Sequence, residues 1–187
     1  DRSRGLGDVY KRQDCTTPEK LAVIKEYGAT RISINPQTLS DEVLAAIGRR
    51  HTAQDVLDCF AQARRLGHGN INMDLIAGLP LDTPARFAQT LQGVLALAPE
   101  NITVHTLTLK RASNLVIEHA PNAYGDVARM LDSCALLGEN GYEPYYLYRQ
   151  KGTLQNLENT GYTRPGYAGL YLSLIHISEP TRPISIS

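Results

Sequence analysis

The chain has no surplus of either charge. Lys+Arg and Asp+Glu each number 19 among 187 residues, so the formal net charge is zero. This argues against a nucleic-acid binder held by bulk electrostatics, because such domains carry a basic excess. Cysteine is scarce: Cys15, Cys59 and Cys134 lie far apart. They make neither a disulfide framework nor a metal-ligand cluster, which fits a reducing cytoplasm. No apolar run approaches the length that spans a bilayer, and the N-terminus lacks the apolar core of a signal peptide. A Gly-rich phosphate loop, a G-x-S-x-G elbow and an H-E-x-x-H helix are also missing. The five histidines show no ligand spacing and read as surface or packing residues. What remains is 42% hydrophobic and 20% charged, a globular domain of ordinary size or a piece of a larger one.

The two ends are related to each other through DNA. Residues 1–13 (DRSRGLGDVYKRQ) back-translate with permitted codons into a segment whose reverse complement encodes LSLIHISEPTRPI, the sequence of residues 172–184. One DNA segment therefore flanks the insert in inverted orientation, and it looks like the transposase adapter of sequencing libraries read as coding sequence. Residues 1–13 and 172–187 are accordingly expected to be adapter-derived tails, with residues 14–171 as the natural segment.

Inside that segment helical and strand patterns alternate. Thr17-Pro18-Glu19 opens a helix that Gly28 stops, and Thr30–Asn35 alternates as a strand. Ser40-Asp41-Glu42 caps a short helix, and Ala53, Val56, Leu57, Phe60 and Arg64 mark a longer one closed by Gly67. Asn70–Ile76 is a second strand, Thr83-Pro84 starts a further helix, and Asn101–Leu109 is a third strand. A fourth long helix is expected around Val127–Leu137, and Tyr142–Tyr148 is a candidate strand in which the tyrosines pack. This order implies parallel strands joined by crossover helices. Ser33, Asn35, Asn72, Asp74, Thr103 and His105 recur on one face of the strands. A doubly wound sheet would bury apolar groups on both faces, whereas a barrel lumen gives polar ones partners. The fold expected is α/β, part of an incomplete (βα) barrel, with its chemistry at the C-terminal ends of the strands.

Several ordered motifs carry a resemblance. Gln37, Ile47-Gly48-Arg49-Arg50-His51-Thr52, Asn72-Met73-Asp74-Leu75-Ile76-Ala77-Gly78-Leu79-Pro80 and Thr83 follow the pattern of the oxygen-independent coproporphyrinogen III oxidases of the radical S-adenosylmethionine (SAM) superfamily. Asn35-Pro36-Gln37, Val104–Ser113 and Gln155–Tyr162 are most similar to the HemZ-type coproporphyrinogen dehydrogenase branch. The resemblance implies the C-terminal part of a radical SAM barrel. It also implies that SAM is contacted by Gln37, Arg49 and Asp74, with Thr108 as a further neighbour. Arg49 offers a planar fork for the methionyl carboxylate. Lys110 and Arg111, which follow the third strand, are candidates to bind substrate propionates.

The activity implied for the parent is oxidative decarboxylation of coproporphyrinogen III to protoporphyrinogen IX, through reduction of SAM and hydrogen abstraction from a propionate. The porphyrinogen is then the partner, with no nucleic acid and no membrane, and the electron donor is not identified. The family's C-x-x-x-C-x-x-C loop for a [4Fe–4S] cluster is absent from this chain, and Cys15, Cys59 and Cys134 do not replace it at their spacing. The fragment alone is therefore expected to be inactive. A heme chaperone of the same superfamily is the alternative parent. Such chaperones usually read G-V-Q where this chain has Asn35-Pro36-Gln37.

Overall fold

The computed structural model describes residues 17–107, 127–148 and 159–168. Both proposed adapter tails, and Thr108, Lys110 and Arg111, lie outside them. Thr17 caps α1 (Pro18–Glu26) by accepting from the Lys20 amide, with proline in the first turn where its missing N–H costs nothing. β1 (Ile32–Gln37), α2 (Asp41–Ala46), α3 (Ala53–Arg65), β2 (Ile71–Ala77), α4 (Pro84–Leu97) and β3 (Asn101–Thr106) follow. Thr52 and Asp55 form a reciprocal capping box at the start of α3.

The long helix expected over Val127–Leu137 is two: α5 (Val127–Asp132) and α6 (Ala135–Glu139). Between them the Ser133 hydroxyl bonds back to the Arg129 carbonyl, and the Ser133 and Cys134 amides take tighter three-residue bonds to Met130 and Leu131. Local bonding by a serine hydroxyl competes with the helical ladder and bends it. β4 (Glu143–Tyr148) and β5 (Asn159–Thr163) complete the described elements.

The five strands form one sheet in the order β1-β2-β3-β5-β4. β1, β2 and β3 run parallel, as the crossover helices require, while β5 inserts antiparallel between β3 and β4. Among the described residues, the helices pack on one face. There Ile32, Ile34, Ile71, Met73, Leu75, Ile102 and Val104 pack against Leu21, Phe60, Phe87, Leu91 and Met130. Each large side chain buried in this layer contributes about 2–3 kcal/mol of hydrophobic stabilisation. The opposite face carries the polar residues and curls: Arg31, just before β1, donates to the Tyr145 hydroxyl of β4 at 3.2 Å. Gly161 of β5 lies beneath that tyrosine, and a Cβ there would come within 3.1 Å of its ring.

The N-terminal end of the sheet is closed by Glu100. Its carboxylate accepts from Arg64 at 2.8 Å and from the Ile71 amide at 2.8 Å, and Arg64 also donates to the carbonyls of His68 and Ala98. Tyr142, buried beside this cluster, donates its hydroxyl to the Pro99 carbonyl.

Candidate functional site

The polar face of β1, β2 and β3 is a connected set of side chains. Ser33 and Asn72 oppose each other in the parallel register, and the Asn72 amide donates to the Ser33 hydroxyl at 2.7 Å. The same amide nitrogen donates to the Asp74 carboxylate at 2.6 Å, and the Asn72 carbonyl oxygen accepts from Thr103 at 2.9 Å. His105 Nε2 stands 3.9 Å from the same Asp74 oxygen. Asn72 is buried, whereas the side chains of Asp74 and His105 are 22% and 41% exposed. The polar face therefore opens toward the C-terminal ends of the strands, the end where barrels of this kind place their chemistry.

β1 is irregular opposite Asp74. Its register with β2 runs Ile34 to Met73 and then Gln37 to Leu75, so Asn35 and Pro36 together face the single residue Asp74. A proline has no N–H for the ladder and is accommodated at such a bulge. Asn35 Oδ1 is buried without a hydrogen-bond partner. Gln37 ends the strand at a φ of 68°, and its amide folds back to donate to the Asn35 carbonyl at 3.3 Å.

Arg49 is set by the close of α2. Gly48 takes a φ of 71°, and the Gly48 and Arg49 amides bond to the Ala45 and Leu44 carbonyls, a Schellman-type ending. Arg49 is partly exposed. Of the residues singled out from sequence, Gln37 and Asp74 thus lie on neighbouring strands, and Arg49 lies in the turn after α2. Among the described residues no hydrogen bond or ion pair joins any two of the three. Thr108, Lys110 and Arg111 fall outside the described residues.

Sequence reasoning missed a second group beyond the end of β2. Gly78, at a φ of 90°, donates its amide to Met130 Sδ, and Leu81 takes a φ of 61°. Asp82 follows, buried, with Oδ1 accepting from the Thr83 amide at 2.9 Å and Oδ2 left without a partner. Burial pushes its carboxyl up to about 6, against the opposing pull of the Thr83 amide and the Arg86 charge. Arg86 itself donates to the Leu81 carbonyl at 2.8 Å and pairs with Glu42 at 2.6 Å. The signal for this group was an acid directly before a Thr-Pro helix start, which reads as ordinary capping.

His105, expected with the other histidines to be a surface or packing residue, is 41% exposed and stands beside Asp74 on the polar face. His68 does pack: it is buried with its ring on the Leu21 carbonyl at 3.1 Å. Among the described residues, no group of three His, Cys, Asp or Glu side chains could hold a metal ion, and no helix is long and apolar enough to cross a membrane.

Residues 11–93 match the family model of the radical SAM superfamily. The chain is 46% identical over 168 residues to the oxygen-independent coproporphyrinogen-III oxidase-like protein HemZ of Bacillus subtilis, a match covering 88% of this chain and 34% of that protein. It is 37% identical over 102 residues to the heme chaperone HemW of the same organism, covering 54% of this chain and 27% of the chaperone. In fold it resembles the coproporphyrinogen III oxidase HemN of Escherichia coli, a radical SAM enzyme, with a TM-score of 0.68 at 22% identity over 83% of this chain and 34% of that one. The chain thus spans about a third of the length of the first of these relatives.

Proposed function

We propose that the chain, which matches the radical SAM family model and is similar to an oxygen-independent coproporphyrinogen-III oxidase-like protein, is the part of such an enzyme that holds SAM beside a porphyrinogen. The reaction proposed for the whole protein is oxidative decarboxylation of coproporphyrinogen III to protoporphyrinogen IX in heme biosynthesis. The observation that carries this reading is Asp74, a carboxylate fixed by Asn72 where the polar face opens.

Membership in this superfamily implies both SAM and a [4Fe–4S] cluster. The polar face suits the first. The Asp74 carboxylate stands opposite the bulge in the strand register and is an acceptor suited to ribose hydroxyls or an ammonium group, and the bulge also carries the buried, partnerless Asn35 Oδ1. Gln37 adds an amide at the same strand end, and the Arg49 fork suits a carboxylate. The described residues do not suit the cluster. Cys59 lies on α3 and Cys134 precedes α6, and burial raises both thiols. We therefore expect the chain by itself to be inactive.

When bound, SAM would supply hydrogen abstraction at the substrate propionate, given one electron from the donor of the whole protein. The residues of this chain would bind and orient it: Asp74 would accept, Gln37 would contribute its amide at the end of β1, Arg49 would neutralise the amino-acid end, and Thr108 would be a further contact. Lys110 or Arg111 would anchor a second propionate. The HemW relative supports a second reading, a heme-transfer protein on the same fold.

The test uses a full-length homologue. Asp74→Ala should weaken SAM binding and abolish release of carbon dioxide from coproporphyrinogen III. Stable heme uptake without any decarboxylation would favour the chaperone, and unchanged SAM affinity would overturn the assignment of Asp74.

A further inference from the structure

Asn72 is buried in the middle of the polar face, where an apolar side chain would pack at lower cost. Its amide is satisfied on every side. One N–H goes to Ser33, the other to Asp74, and the carbonyl oxygen is taken by Thr103. The arrangement has one orientation only. Turning the amide over would set its oxygen against the Asp74 carboxylate, which accepts and cannot donate when ionised. Ser33 on β1 and Thr103 on β3 therefore fix the Asn72 amide, and the amide fixes the Asp74 carboxylate on β2.

The position of this chain of bonds gives it a use beyond stability. It ends on the partly exposed Asp74 carboxylate, opposite the Asn35-Pro36 bulge in the register, with His105 at 3.9 Å from the same oxygen. A carboxylate on a strand retains rotamer freedom unless a second group holds it, and a ligand that needs one rotamer loses affinity by the fraction of time spent in the others.

We propose that Asn72 is a positioning residue, which presents the Asp74 carboxylate to a ligand carrying an adenosyl or similar hydroxyl-rich group, with Ser33 and Thr103 setting the amide. The inference rests on the reading of Asp74 as a ligand contact. The charge-assisted bond from Asn72 holds one carboxylate oxygen and leaves the other lone pairs for the ligand. Loss of a hydrogen bond to a charged group changes an equilibrium by about tenfold or more.

The test is a double-mutant cycle on the intact 187-residue chain, with S-adenosylhomocysteine binding followed by calorimetry. Asn72→Ala should weaken binding about tenfold. Asp74→Ala should weaken it at least as much, and the double variant should bind no worse than Asp74→Ala, because Asn72 acts through the carboxylate. A structural role would instead give additive losses, and additivity overturns the proposal. Asn72→Asp preserves volume while replacing the donor with a like charge, so it should bind as poorly as Asn72→Ala. Where Asn72→Ala does not fold, Thr103→Val removes only the hydroxyl that orients the amide and should cost about threefold, again without effect in the Asp74→Ala background. Loss of binding on Asp74→Ala with none on Asn72→Ala overturns the positioning role alone. A chain that takes up no S-adenosylhomocysteine, or an Asp74→Ala variant that binds normally, overturns the reading of Asp74 and this inference with it.

Discussion

The Arg31 guanidinium donates to the Tyr145 hydroxyl at 3.2 Å, although the two residues belong to the opposite edges of a five-stranded sheet. In a flat sheet those edges stand about 19 Å apart, four strand spacings, and side chains rise roughly perpendicular to it. The contact therefore requires the sheet to curl with its polar face inside. A half-barrel, and not an open doubly wound sheet, is the shape that this bond records.

Removing the hydroxyl should loosen that curl. Tyr145→Phe is expected to cost about 1 kcal/mol in urea unfolding, in keeping with one partly exposed hydrogen bond to a charged donor. Gly161→Val should cost more, since a Cβ would already lie 3.1 Å from the Tyr145 ring. In the Gly161→Val background Tyr145→Phe should then change little. Equal losses from Tyr145→Phe in both backgrounds would show that the ring and the glycine are independent.

Two ion pairs on this chain should differ sharply in worth. Glu100→Ala strips partners from both Arg64 and the Ile71 amide at a buried site, and a loss of about 2–4 kcal/mol is expected. Glu42→Ala breaks the pair with Arg86, where the side chains are 58% and 37% exposed, and should cost no more than about 1 kcal/mol. Comparable urea midpoints for the two variants would contradict the burial argument.

Asp82 gives the chain a pH dependence of defined sign. Its folded value of about 6 lies above the ordinary 3.8, chiefly through burial. Between those values the folded chain holds a proton that the unfolded chain has lost. Stability contributed by this group is therefore fully present below about pH 4 and declines as pH rises to about 6, by on the order of 2–3 kcal/mol. Asp82→Asn keeps an acceptor for the Thr83 amide and should flatten that part of the profile. A wild-type slope that survives the substitution would assign it to another group.

The thiols should resist chemistry. Cys134 is pushed up to about 11, first by burial and then, in opposing directions, by its bond with Tyr162 and the charge of Asp132; burial also raises Cys59. Iodoacetamide at pH 8 should leave Cys134 unmodified in the folded chain and alkylate it in urea, as mapped by mass spectrometry. Rapid labelling of Cys134 under native conditions would refute its burial.

The alternation of strand and helix, the caps at Thr17 and Thr83, and the polar stripe Ser33, Asn72, Asp74, Thr103 and His105 were all legible from local pattern. These depend on neighbours within a few residues, on a period of two in strands and on the chemistry of single side chains. The motif around Asp74 likewise pointed to the place where the polar face opens. The tertiary structure alone decided the rest. β5 enters between β3 and β4 because an antiparallel strand pairs with partners distant in sequence, which no local period announces. The bulge at Asn35-Pro36 appears only when β1 is laid against β2. Asp82 gained its displaced carboxyl from packing that sequence spacing does not encode. A side chain's identity is local, whereas the solvent it loses and the partner it meets are fixed only when the sheet curls and closes over them.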